Sequence, residues 1–202
     1  MKQKLLVAAL ALTLVLCIAM GVTLAWLTAE TDTIVNTFVI GNIGLTLTET
    51  GATEQNGVLG QTYNIAPGAE IDKDPMLTVA ANSEACYVFF KVVEGNNIFD
   101  GDQKIVDYDE AAGWTALDGE AGVFYREVAT SAEAQEFGLF AGDIVTVNSD
   151  LDTEDIPVVE GQIQSPTLTI TGYAIQKTAV DAVEGDAAAK VAAAWGLLNP
   201  TP

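Results

Sequence analysis

The sequence predicts an all-β protein: an antiparallel β-sandwich with a short C-terminal helix, preceded by an N-terminal signal helix. Three observations carry that expectation. About eight short stretches are rich in β-branched and alternating apolar residues, and clusters of Gly, Pro, Asn and Asp separate them. No strand–helix–strand alternation of the kind that builds a parallel sheet is visible. Apart from isolated helical turns, helical character is confined to the two ends of the chain.

At the N-terminus, Lys2 and Lys4 precede an uncharged apolar run over residues 5–27, with small residues Gly21, Thr23 and Ala25 near its end. A basic region, an apolar region and a small-residue site in that order form a secretory signal peptide. Residues 1–25 are expected to be removed by cleavage between Ala25 and Trp26. The run is also long enough to span a bilayer, at about 20 residues. No Lys or Arg follows it closely, so the usual stop-transfer flank is missing. Contact with a membrane is therefore expected only through this segment, and the product is expected to be secreted, extracellular or associated with the cell surface.

Residues 26–202 then read as a single β-sandwich domain. Residues 34–40 and 43–48 are predicted strands flanking a turn at Gly41 and Asn42. Ile43, Leu45 and Leu47 fall on one face and Gly44, Thr46 and Thr48 on the other, the period of two of a half-buried strand. Residues 49–62 are polar and glycine-rich and read as a loop, and Pro67 with Gly68 marks a turn. Residues 76–80 and 85–94 are strands joined by a polar turn. The second is almost continuously apolar, as in a central strand buried on both faces. Short strands are predicted at 104–108, 113–116, 122–128, 143–148 and 167–176. Ser131 has the character of an N-cap for a helical turn over 131–137. The tail, 178–198, is read as helical: Asp186 is placed to cap a helix whose Ala187, Val191, Trp195 and Leu198 share one face, with Asn199 and Pro200 as its stop.

Charge excludes some functions. The chain has 28 acidic and 8 basic residues, a formal charge of −20, and loss of residues 1–25 would bring it to −22 by removing Lys2 and Lys4. Such a field repels nucleic acid and anionic membrane surfaces, so neither is an expected partner. Cys17 lies in the signal run, which leaves Cys86 without an intramolecular partner; its apolar surroundings suit a small buried hydrophobe.

Catalysis is not expected. The chain contains no histidine, so it lacks the imidazole ligands of the usual zinc hydrolases and the base of a Ser–His or Cys–His pair. Asp107 and Asp109 mimic a glycosidase pair, but in so acidic a chain such pairs arise by chance. Asp150, Asp152 and Glu154 alternate as at the start of a calcium loop, making calcium the one candidate cofactor. The loop departs at its sixth position, where Asp155 stands for glycine, and at its twelfth, where Gly161 stands for glutamate. A solvated acidic surface is the simpler reading, with Asp100, Asp102, Asp107 and Asp109 a looser cluster of the same kind. Ser149 or Asp150 would then cap a short helical turn.

Four stretches carry a family resemblance: GVTLAWLTAETDTIVNTFVIGNIGLTL (21–47), IAPGAEIDKDPMLTVAANSEACYVFFKV (65–92), DIVTVNSDLDTEDI (143–156) and PTLTITGYAIQ (166–176). Together they resemble secreted Gram-positive proteins processed by a SipW-type signal peptidase, the group of TasA-like biofilm matrix fibre proteins and camelysins. The resemblance implies a jelly-roll-type β-sandwich, a SipW-type peptidase as processing partner, and homo-oligomeric fibres in which the N-terminal strand of one subunit completes a sheet of the next. Carried over by position, the donor segment is residues 26–38, with Trp26, Ile34, Val35 and Phe38 as its contact residues. Strand addition has its own physical logic, since an extended segment gains main-chain hydrogen bonds while alternate side chains enter pockets. The alternatives are a monomeric surface binding module whose first strand folds back on its own sheet and, more remotely, a camelysin-like metallopeptidase, which the lack of histidine disfavours.

Overall fold

The structure, a computed structural model, describes residues 28–30, 43–55, 58–152, 158–159 and 162–199. Their strands in chain order are β1 (Thr28–Glu30), β2 (Leu45–Thr48), β3 (Thr53–Gln55), β4 (Val58–Gly60), β5 (Glu70–Asp72), β6 (Met76–Val79), β7 (Cys86–Gly95), β8 (Val106–Asp107), β9 (Thr115–Ala116) and β10 (Val123–Val128). After them come β11 (Gln135–Gly138), β12 (Ile144–Val147), β13 (Val158–Val159), β14 (Gln162–Ile163) and β15 (Thr167–Gln176). A 3₁₀ turn (Lys177–Val180) and one α-helix, α1 (Ala187–Leu198), close the described chain. Every strand pairing among the described residues is antiparallel.

The largest sheet has the order β1-β15-β7-β10-β9. Its spine is the β7–β15 ladder, in register from Cys86 opposite Gln176 to Gly95 opposite Thr167. Two three-stranded sheets, β11-β6-β2 and β5-β12-β8, cover one face of it. The layers meet through Val88, Phe90, Val92, Ile170 and Ala174 on one side and Leu45, Leu47, Leu77, Val79, Val145 and Val147 on the other. That arrangement is sandwich-like, mostly β, with the predicted alternation: Ile43, Leu45 and Leu47 are all buried. The opposite face of the large sheet carries a second core. There Tyr87, Phe89 and Ile175 pack against Val191, Ala194 and Trp195 of α1. Successive residues of β7 thus feed two cores, which explains why its sequence is apolar without alternation.

Local chemistry fixes the joints. Asn97, 3% exposed, accepts from Val106 N–H and donates to Val106 C=O, both at 2.8 Å, pinning the excursion between β7 and β8. Gly122 has φ +71° and its C=O accepts from Val92 N–H at 2.8 Å. A Cβ there would stand 2.4 Å from the Val92 oxygen, so only glycine fits. Asp186 caps α1 as expected, its Oδ1 accepting from Ala189 N–H at 3.0 Å.

Four expectations need correction. Residues 49–62 include the β3–β4 hairpin; its signal was present in Asn56 and Gly57, the dipeptide typical of two-residue hairpin connections. The helical turn over 131–137 is absent, because residues 135–138 pair with β6 as β11. Ser131 still caps locally, accepting from Glu133 N–H at 3.0 Å, but tertiary pairing decides the segment. The tail is not continuously helical over 178–198. The 3₁₀ turn ends at Val180 and α1 starts at Ala187, with Gly185 at φ +129° between them. Among the described residues the side-chain cap after β12 comes not from Ser149 or Asp150 but from Asn148, whose Oδ1 accepts from Asp150 N–H at 2.9 Å, and residues 153–155 of the expected turn lie outside the description.

Candidate functional site

The described part of the N-terminal segment, β1, lies at an edge of the large sheet. Along one side β15 is fully paired with β7. Along the other, β1 pairs with residues 173–175, setting Thr28 opposite Ile175 and Glu30 opposite Tyr173. No strand among the described residues pairs with residues 167–171 on that side. β1 starts three residues after Ala25, so the end of the apolar run and the sheet edge are joined directly. Trp26, Ile34, Val35 and Phe38 lie outside the described residues, as does Ala25.

Beside this edge the two layers part. β2 is the edge strand of its own sheet, and between it and β15 runs a groove of about 210 Å³. Leu47, Leu59, Pro75, Leu168 and Ile170 give it apolar walls. Its rim is polar and already satisfied. Lys73 Nζ donates to both oxygens of Glu49, at 2.8 and 2.9 Å, and the Tyr63 hydroxyl donates to the same carboxylate at 2.8 Å. Burial, followed by the Glu49 carboxylate, pushes the Tyr63 hydroxyl well above its usual range, so it stays protonated and keeps donating. Thr50 holds the Asp74 carboxyl below its ordinary value, first through its side-chain hydrogen bond and then through its N–H, which donates to Oδ1 at 3.0 Å. Glu49 and Lys73, with Tyr63 bonded behind them, therefore form a fixed polar collar on one side of a partly apolar slot. Such a slot suits aliphatic side chains on a strand laid along β15.

A second cavity, of about 490 Å³, lies beside the β8–β12 pair and is lined by Asp102, Lys104, Asp107, Tyr108, Asp109 and Asn148 among others. Lys104 pairs with Glu94 at 2.9 Å and with Asp107 at 3.1 Å. Asp107 of the candidate pair with Asp109 is thus held in an ion pair. Burial first, then Glu94, pushes the Tyr108 hydroxyl up to about 12. Of the calcium candidates, Asp150 and Asp152 are exposed after β12, and Glu154 lies outside the described residues. Among the described residues no three His, Cys, Asp or Glu side chains converge on a point that could hold a metal ion.

Cys86 is fully buried at the start of β7, and burial pushes its thiol up to about 12. The Lys73–Glu49–Tyr63 collar was not foreseen. Its members are far apart in sequence, and only the crossing of the segments after β2 and β5 brings them together. Among the described residues no helix is long and apolar enough to cross a membrane. Compared with protein-family models, curated proteins and solved structures, the chain gives no match.

Proposed function

We propose that this chain is a secreted structural subunit of an extracellular matrix, such as that of a biofilm, and that it assembles into fibres by N-terminal strand addition on a jelly-roll-type sandwich. The observation that carries this reading is the seat of β1 on the edge of β15, next to an apolar groove. A segment freed by cleavage after Ala25 would begin two residues before that seat. Exchange of the same contact between subunits keeps its hydrogen bonds and costs little, the logic of domain swapping. Each subunit would offer one donor and one acceptor, a heterologous contact that propagates into a filament. The formal charge opposes close packing of subunits, so assembly is expected to strengthen with ionic strength.

The same pairing also supports the monomeric surface module, since β1 meets β15 within one chain. Electron microscopy of the secreted protein separates the two. Filaments that form with rising concentration, and that vanish when residues 26–38 are deleted, support assembly by strand addition. Identical filaments from the deleted form refute it, and monomer at every concentration favours the module.

A further inference from the structure

The chain has a single arginine, and among the described residues that arginine has no acidic partner. Arg126 lies in β10, with Phe124 and Val128 on the same face of the strand, directed into the sandwich. Its Cζ stands 3.9 Å from the centre of the Phe137 ring and 5.1 Å from that of Trp114. Those two rings meet almost at right angles, 83° with centres 6.4 Å apart, and so form a corner that holds the guanidinium. The corner is rigid. Trp114 is buried and donates its indole N–H to Gly138 C=O at 2.8 Å, and Phe137 is fixed by the β11–β6 pairing. Gly113 closes it from below, where an added Cβ would come within 3.0 Å of Nη2.

Cation–π packing accounts for the corner but not for the missing counter-charge. Lys73, Lys104 and Lys177 each find a carboxylate. Arg126 finds none among the described residues, in a chain with 28 acids. Its Nε is buried without a hydrogen-bond partner, while the residue as a whole is only partly buried. Burial alone perturbs the group, lowering its pKa, with no acid to raise it again. A planar charge, ordered in advance and left with open donors, has already lost the rotamer freedom that binding would otherwise remove.

We propose that Arg126 is a receptor for a carboxylate, which its terminal Nη groups take in a charge-assisted, two-pronged hydrogen bond on the flank of the sandwich opposite the β15 groove. The planar fork matches a carboxylate in both spacing and charge. The carboxylate comes either from a free organic acid or from an acidic side chain of a second copy of this chain.

One experiment reads the site directly. A lone arginine gives a single Nε–H cross-peak in a ¹⁵N-labelled sample, and the burial of Nε slows its exchange with water. The full-length protein, held in a neutral detergent, is titrated with sodium acetate against sodium chloride at constant ionic strength, with inorganic phosphate as a comparison. The expected result is a saturable shift of that peak, half-complete at millimolar acetate and absent with chloride. A peak that moves on dilution without added acetate identifies a second copy as the source. In Arg126→Lys, with an unchanged far-ultraviolet spectrum, the acetate-dependent change in tryptophan emission should disappear. If the variant does not fold, the wild-type titration decides alone. A peak that responds equally to acetate and chloride, and does not move on dilution, overturns the proposal, as does a saturable response to phosphate alone.

Discussion

Replacing Phe90 by alanine tests the two-layer packing where it is densest. Phe90 is fully buried in β7, stacked on Phe124 at 4.7 Å between ring centres and edge-on to Trp114 at 4.8 Å. Truncation of a buried phenylalanine costs about 3–5 kcal/mol through lost burial and a residual cavity. Two aromatic pairs, worth roughly 0.5–1.5 kcal/mol each, place this site in the upper half of that range. A loss of about 4 kcal/mol lowers the melting temperature by roughly 8–16 °C in a chain of this size. Urea and thermal unfolding followed by circular dichroism measure both. The pattern of coupling is sharper than the magnitude. Phe89 touches Trp195 of α1 at 5.4 Å, whereas Phe90 points to the other face. Phe89→Ala and Trp195→Ala should therefore be non-additive, and Phe90→Ala with Trp195→Ala additive within about 0.5 kcal/mol. A loss below about 1.5 kcal/mol for Phe90→Ala, or strong coupling to Trp195, would refute the assignment of the two cores.

Other outcomes follow from single sites. Cys86 should resist a thiol reagent in the folded protein at pH 8 and react fully in denaturant, because it is buried and its thiol is pushed up to about 12. Gly122→Ala should destabilise by on the order of 2 kcal/mol or more in urea unfolding, since both its positive φ and the Val92 oxygen oppose a side chain. Asp74 has a folded-state pKa below its ordinary 3.8, so the stability it contributes is complete above that value and is lost as pH falls through the lower folded one. The stability gap between wild type and Asp74→Ala should accordingly close on acidification below pH 3.8; a gap that stays constant with pH would contradict the cap at Thr50.

Where one residue faces one environment, the sequence was legible. The alternation in residues 43–48 and the cap at Asp186 reappear because each is set by local geometry. The near-continuous apolar run of β7 also read correctly, as two buried faces, although nothing local says that a helix covers one of them. Legibility failed at residues 135–138, where Gln135 and Glu136 carry no strand signal and pairing to β6 imposes the conformation. It failed again at the site. The collar of Glu49, Tyr63 and Lys73 and the corner around Arg126 each join residues from separate segments, and neither leaves a pattern of fixed spacing.

The register of β1 on β15 sharpens the assembly proposal into a choice between neighbouring residues. Ala29 stands opposite Ala174, which faces the inter-layer core, and residues opposite one another in an antiparallel pair share a face. A donor strand continuing that register along the edge would set Thr33 opposite Ile170, Ile34 opposite Thr169 and Val35 opposite Leu168. Leu168 and Ile170 line the groove, and Thr169 is exposed on the other face. In that register Val35, rather than Ile34 or Phe38, would fill the slot. In that contact Val35→Ala would take two carbons out of the slot, about 1.5 kcal/mol at ~0.8 kcal/mol per carbon. That corresponds to roughly a tenfold rise in the concentration needed for filaments. Ile34→Ala, on the outward face, should raise it less than about threefold. Sedimentation across a concentration series measures both variants. The reverse order, with Ile34 the sensitive position, would mean that the donor shifts by one residue on β15, and equal insensitivity would remove the groove from the assembly contact.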